Sequence, residues 1–249
     1  MKNFCLRDIL SHIAPGFYIF VSFIGEKEYR VMSGVCKVLL QRTNPMRCTA
    51  KFTGKHLGRS LRVVYRFPKL RTLMIDGSSG KPHHSQLSDI GGMTALKRLY
   101  LGSNQLTGLP DAIGQLTGLE ELDLDLNEIT KLPDSIGSLT ALTNLHLAFN
   151  EITKLPDSIG EMTALTILHL HDNQLTGLPD AIGQLTGLEE LDLSFNQLTA
   201  LPGSIVALKN LTSLDLRYNP RFIRTAQSVA VQAWLQELED NLTLVVSIF

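Results

Sequence analysis

One frame constrains this chain more than any other property: Leu119-Glu120-Glu121-Leu122-Asp123-Leu124-Asp125-Leu126-Asn127 returns every 23 residues. The pattern of Leu, two residues, Leu, one residue, Leu, two residues, Asn recurs at Leu96 to Asn104, Leu142 to Asn150, Leu165 to Asn173, Leu188 to Asn196 and Leu211 to Asn219. A degraded copy stands at Leu70 to Ser78, and a Leu-Pro pair keeps the same phase from Leu109-Pro110 to Leu201-Pro202. Within a unit, Ile113, Leu116, Leu119, Leu122, Leu124 and Ile129 form an apolar set too large to bury in so short a segment. The units must therefore stack and bury these side chains against one another.

The alternation in Leu122-Asp123-Leu124 predicts a short strand with one buried face, whose copies pair into a parallel sheet. Asp111 to Leu119 is expected to return on the other side as a short helical turn. Pro110 suits a first helical turn and Gly114 weakens a helix interior, so both limit its length. Asn127 and its equivalents fall where the chain turns inward, and a buried amide there can bond the backbone of neighbouring turns. An apolar replacement would leave those groups unpaired, at about 1–3 kcal/mol each.

Residues 70–219 resemble the leucine-rich repeat family, specifically intracellular members whose units read Leu-Pro-x-x-Ile-Gly-x-Leu-x-x-Leu. The resemblance implies an α/β fold, a curved solenoid with a parallel concave sheet that binds macromolecules without catalysing a reaction. It names no ligand. Asn104 to Leu124 and Asn173 to Leu193 are identical over twenty-one residues, and Asn127 to Gly137 matches Asn150 to Gly160 over eleven, so the array reads as an internal duplication. Identical copies cannot encode local specificity, which must lie where the units differ.

The net charge of -1 conceals an asymmetry: residues 1–69 carry thirteen Lys and Arg against three acidic residues, and the rest carries ten against twenty-one. Such a division suits an anionic partner for the arm, a basic partner for the body, or attraction between the two. Cys5, Cys36 and Cys48 are odd in number and lack metal-ligand spacing, which points to a reducing, cytoplasmic setting. The sequons at Asn210 and Asn241 are then expected to be unused. Ile13 to Gly25 is apolar but broken by Pro15-Gly16 and shorter than the ~20 residues a membrane span needs, so no membrane partner is expected.

Helical spacing of Leu6, Ile9, Leu10 and Ile13, and of Met32, Val35, Val38 and Leu39, predicts a helical N-terminal cap over residues 1–69. Leu6-Arg7-Asp8-Ile9-Leu10-Ser11-His12-Ile13 and Ser33-Gly34-Val35-Cys36-Lys37 resemble an F-box. That resemblance implies docking onto the adaptor of a cullin-type ubiquitin ligase. In residues 220–249, Thr225 to Asp240 reads as an amphipathic capping helix, with Thr225 as N-cap and Val229, Ala230, Ala233, Trp234 and Leu238 on its apolar side. The apolar tail Leu242 to Phe249 is expected to pack.

Outward strand positions fall in columns. The first reads Arg98, Glu121, Asn144, Ile167, Glu190, Ser213 and the second Tyr100, Asp123, His146, His169, Asp192, Asp215. The third reads Gly102, Asp125, Ala148, His171, Ser194, Arg217, and before each Asn stand Ser103, Leu126, Phe149, Asp172, Phe195 and Tyr218. From these, the expected partner-binding set is Arg98, Tyr100, Glu121, Asp123, Asp125, Asn144, His146, Phe149, Ile167, His169, His171, Glu190, Asp192, Phe195, Asp215 and Arg217. Acidic residues across the four columns outnumber Arg and Lys seven to two, which favours a protein partner with a basic or polar face over nucleic acid, whose phosphates require cations. Phe149, Phe195 and Tyr218 suit either aromatic anchoring of a partner or partial burial along the edge of the core.

His146, His169 and His171, with Asp172 nearby, are the one group that invites a zinc reading. Side chains on a regular sheet diverge, so no metal is expected; histidines titrating near neutrality would instead make binding pH-dependent. No phosphate-binding glycine loop, Gly-x-Ser-x-Gly elbow or cysteine nucleophile signature occurs, so neither catalysis nor a cofactor is expected. The oligomeric state is not legible from the chain.

Overall fold

The computed structural model describes residues 18–23, 36–44 and 47–53 as backbone strands, and residues 70–76, 87–223 and 227–240 in greater detail. The repeats form an open sheet. Strands β1 (Tyr18–Phe23), β2 (Cys36–Asn44), β3 (Arg47–Thr53) and β4 (Leu70–Asp76) lead into it. The repeats supply β5 (Arg98–Tyr100), β6 (Glu121–Asp123), β7 (Asn144–His146), β8 (Ile167–His169), β9 (Glu190–Asp192) and β10 (Ser213–Asp215). Spatial order follows sequence order, antiparallel from β1 to β3 and parallel from β3 to β10.

Each repeat strand is three residues long because the chain then turns inward. The buried central leucines, Leu99, Leu122, Leu145, Leu168, Leu191 and Leu214, stack as one column of the core. Opposite the sheet run 3₁₀ turns at Asp111–Gln115, Asp134–Ser138, Asp157–Glu161, Asp180–Gln184 and Gly203–Ala207, each preceded by an extended proline or its equivalent at the cap. Their isoleucines, Ile113 to Ile205, close the core from that side.

The asparagine reading holds in atomic detail. Asn127 Oδ1 accepts the Asn104 and Leu106 N–H groups at 3.1 and 2.9 Å, while its Nδ2 donates to the Leu101 and Leu124 carbonyls at 3.0 and 2.8 Å. One side chain thus bonds the backbones of two units, and Asn150, Asn173, Asn196 and Asn219 repeat the arrangement.

The expected short turn is present at Asp111–Gln115, and Gly114 within it has a further role. A Cβ at Gly114 or Gly137 would lie 2.5 Å from the Ser135 or Ser158 carbonyl oxygen, and at Gly160 2.6 Å from that of Ala181. The glycines set how closely adjacent 3₁₀ turns approach. Val206 occupies the equivalent position in the last turn, where a helix rather than another repeat follows.

That helix, α1 (Val229–Asp240), is present, with its start and buried stripe shifted from expectation. Thr225 lies outside the described residues; Ser228 Oγ accepts the Val231 N–H at 3.3 Å and caps the helix. Val231, Trp234, Leu235 and Leu238 are buried at helical spacing, whereas Val229, Ala230 and Ala233 are exposed. With Val231, Trp234, Leu235 and Leu238 turned inward, 3.6-residue periodicity carries Val229 and Ala233 to the opposite side of the helix and Ala230 to its flank. Gln227 fastens the cap: its Oε1 accepts the Leu201 N–H at 2.9 Å and its Nε2 donates to the Thr199 and Ile223 carbonyls.

Strands also correct the expectation of a helical cap within residues 1–69. Tyr18–Phe23 is built of β-branched and aromatic residues that favour extended backbone, and the parallel edge of β4 offers unpaired backbone groups to β3. Val38 and Leu39, assigned above to a helical stripe, pair with Val21 and Phe20 across β1 and β2. Cys36 and Lys37 of the F-box-like resemblance therefore begin a strand. Its other stretch, Leu6 to Ile13, lies outside the described residues, as do Cys5 and the tail after Asp240. Among the described residues no helix is long and apolar enough to cross a membrane.

Candidate protein-binding face

The first two columns stand in the expected register, with Arg98, Glu121, Asn144, Ile167, Glu190 and Ser213 paired strand to strand. Tyr100, Asp123, His146, His169, Asp192 and Asp215 pair likewise. In every repeat strand the central leucine is buried and its two neighbours are half-exposed, so both columns share the outer face. The third column is uneven: Ala148 and Ser194 are buried, Asp125 and His171 half-buried, and Arg217 exposed. Arg98, at the near end, directs Nε to Thr72 Oγ1 at 3.4 Å, several strands from Asp215 and Arg217.

Second-column aspartates reach two residues forward to bond the backbone, a role that spacing alone did not reveal. Asp123 Oδ1 accepts the Asp125 N–H at 3.0 Å, and Asp192 Oδ1 accepts the N–H and hydroxyl of Ser194 at 2.9 and 2.7 Å. Asp215 accepts the Arg217 N–H and grips its guanidinium, with Nη2 at 2.6 Å. Asp125 Oδ1 crosses to the next unit and accepts the Ala148 N–H at 2.7 Å. Burial pushes the Asp125 carboxyl above its ordinary range, against the opposing pull of that N–H. Burial, followed by its hydrogen bond to Glu121, pushes the Tyr100 phenol up to about 12.

The histidines adjoin without converging. His146 and His169 meet edge to face with centroids 4.9 Å apart and Nδ1 atoms 3.1 Å apart, a contact in which one nitrogen must donate and the other accept. His169 Nε2 lies 2.9 Å from Glu190 Oε1. His171 Nδ1 lies 3.0 Å from Asp192 Oδ2 but outside hydrogen-bond alignment. The three rings thus turn to different neighbours, and among the described residues no group of three His, Cys, Asp or Glu could hold a metal ion.

Beside these columns runs a ridge whose backbone the sequence did not foretell. Ser103, Leu126, Phe149, Asp172, Phe195 and Tyr218 all adopt positive φ, between 52° and 59°. For residues other than glycine this conformation costs roughly 1–2 kcal/mol, and here it turns each following asparagine into the core. It also leaves the ridge side chains outside: Leu126 and Tyr218 are 56% exposed, Phe149 and Phe195 47%. About half of each of these side chains meets solvent, and the other half is covered at the edge of the core. Phe195 stacks on Tyr218 with centroids 4.1 Å apart, and Phe149 meets His171 edge to face at 5.2 Å.

Two family patterns match the chain: one described as a leucine-rich repeat region, over residues 53–172, and one as a leucine rich repeat, over residues 163–220. No curated protein matches it. Among solved structures, a leucine-rich repeat protein of Leptospira interrogans is 33% identical with a TM-score of 0.50, covering 62% of this chain and 45% of its own. The leucine-rich repeat ectodomain of a plant membrane receptor kinase from Arabidopsis thaliana, in complex with Casparian strip integrity factor 2, is 34% identical with a TM-score of 0.55. That match covers 62% of this chain and 19% of the ectodomain. An internalin from Listeria monocytogenes shares the fold at a TM-score of 0.61 and 24% identity, covering 74% of this chain and 50% of its own. The chain spans half or less of each of these proteins. Period, asparagine bonding, sheet order and both family patterns agree: over residues 53–220 this chain belongs to the leucine-rich repeat family.

Proposed function

We propose that this protein is a non-catalytic binding module that holds a protein partner with a basic or polar face on the outer face of β5 to β10. Leucine-rich repeat proteins generally mediate protein–protein interaction, which supports the class of partner. The observation that carries the reading is the pairing of an acidic strand face with a ridge of half-exposed Leu126, Phe149, Phe195 and Tyr218. Aromatic side chains held in place next to polar groups are the usual material of interface hot spots, and opposite charge steers and orients a partner. The plant ectodomain matched above is itself bound to another factor, which suits the same use of the fold. The three cysteines of the basic arm suit a reducing, cytoplasmic setting in signalling or scaffolding.

Adaptor docking by residues 1–69 is the weaker reading, since Cys36–Asn44 runs as a strand where that module requires a helix. Affinity capture with the full chain, followed by mass spectrometry, tests the principal one. Glu121→Lys with Glu190→Lys should abolish capture of the partner, while Asp134→Lys with Asp157→Lys on the 3₁₀ side should leave it intact. Capture that survives the first pair, or that is lost equally with both, would overturn the assignment.

A further inference from the structure

We propose that the notch on the ridge between Phe149 and Phe195, floored by Asp172, receives one arginine side chain from an extended segment of the partner. The proposal rests on the protein-binding reading above and specifies its chemistry. Asp172 is the only acidic residue of the ridge, and it stands between two aromatic residues of adjoining repeats. Successive parallel strands lie about 4.8 Å apart, so Phe149 and Phe195, two units apart, are separated by roughly 10 Å. A cation midway would lie about 5 Å from each ring, within the ~6 Å over which a ring face attracts it. Phe195 presents one face to Tyr218, leaving the other toward Asp172, and Phe149 is braced by His171.

Charge distribution selects the occupant. Glu190 is engaged by His169, Asp215 by Arg217, and Asp192 by Ser194. The Asp172 carboxylate is half-exposed and has no hydrogen bond or ion pair among the described residues. An acceptor without a cation, flanked by two apolar rings, matches a planar guanidinium, which can stack on an aromatic face while forking onto a carboxylate. An ammonium is a compact, strongly hydrated charge that uses the rings less well. All three notch residues lie outside the duplicated twenty-one-residue segments, so the arrangement occurs once in the array.

Random heptapeptides displayed on phage and selected on the full chain test this. Selected peptides should share an arginine, and a synthetic copy should bind at least tenfold more weakly when that arginine is replaced by citrulline. A similar loss is expected on Asp172→Asn, a change that keeps a residue tolerant of positive φ, and on Phe149→Ala or Phe195→Ala. Lysine in place of the arginine should weaken binding several-fold. Peptides that lose affinity on Glu121→Lys with Glu190→Lys, but show no arginine preference and ignore Asp172→Asn, would overturn the notch and leave the binding face standing. Equal binding of lysine and arginine peptides overturns the arginine assignment. Failure to select any binder, or binding indifferent to all these substitutions, overturns both.

Discussion

Asn104 to Leu124 and Asn173 to Leu193 are the same twenty-one residues placed three units apart, and the structure treats them alike on one side and differently on the other. Leu122 and Leu191 are both fully buried, and Gly114 and Gly183 each abut a serine carbonyl of the next turn. On the outer face, Glu121 bonds the Tyr100 phenol, whereas Glu190 reaches His169 at 2.9 Å. Asp123 caps one N–H, while Asp192 takes an N–H and a hydroxyl and lies beside His171. In a stacked array each side chain draws its partners from the units before and after. Identical segments therefore share a frame without sharing a surface.

The strongest break of this comparison would be inequality in the frame. Leu122→Ala and Leu191→Ala should each lower stability by about 3 kcal/mol, the usual cost of a buried leucine. Such costs vary because sites collapse to different extents, and equivalent surroundings remove most of that variation. Urea denaturation of the two variants should thus give nearly the same shift in midpoint; a clear separation would show that the copies are not packed alike.

Asparagine should show where equivalence ends. Asn173 Oδ1 accepts the Ile152 N–H at 2.9 Å and its Nδ2 donates to the Leu147 and Leu170 carbonyls. Asn104, at the start of the array, donates to the Ile75 and Gly102 carbonyls, but its Oδ1 has no partner among the described residues. Asn173→Ala orphans one more backbone donor than Asn104→Ala. It should cost about 1 kcal/mol more, within a range of about 1–3 kcal/mol per buried group. Equal losses in the same denaturation experiment would mean that the first asparagine is satisfied as fully as the others.

Most of the frame was legible because Leu119, Leu122, Leu124 and Asn127 repeat in phase, and a fixed period leaves few ways to bury them. Register then made the outer columns legible, including the adjacency of His146 and His169. What failed to show was backbone conformation. Ser103, Leu126, Phe149, Asp172, Phe195 and Tyr218 share no chemistry that favours positive φ, so the ridge is imposed by the asparagine that follows each of them. Gly114 has a second role that its own turn could not reveal, because it lies in the neighbouring unit, at the Ser135 carbonyl. The arm failed differently: Val38 and Leu39 fit a helical stripe equally well, and only pairing with β1 and β3 decides for a strand.

The smallest effect tests the outer face alone. Tyr100 is raised from 10.0 to about 12, so it keeps its proton in the folded chain after the unfolded chain has lost it. Its contribution to stability is therefore complete below pH 10 and is lost as the pH rises through about 12. Glu121→Gln removes the negative charge and the charged acceptor, leaving burial as the main cause of the shift. The phenol should then ionise at lower pH, and stability should fall less steeply across that interval. Glu190→Gln, the same change in the identical segment, should leave the phenol untouched, because Glu190 bonds His169 three units away. Phenolate absorbance, with Tyr100→Phe identifying the step among five tyrosines, reads the difference. If both glutamine variants moved that step equally, Glu121 would not be acting through direct contact, and the distinction drawn between the two outer faces would fail at its best-defined pair.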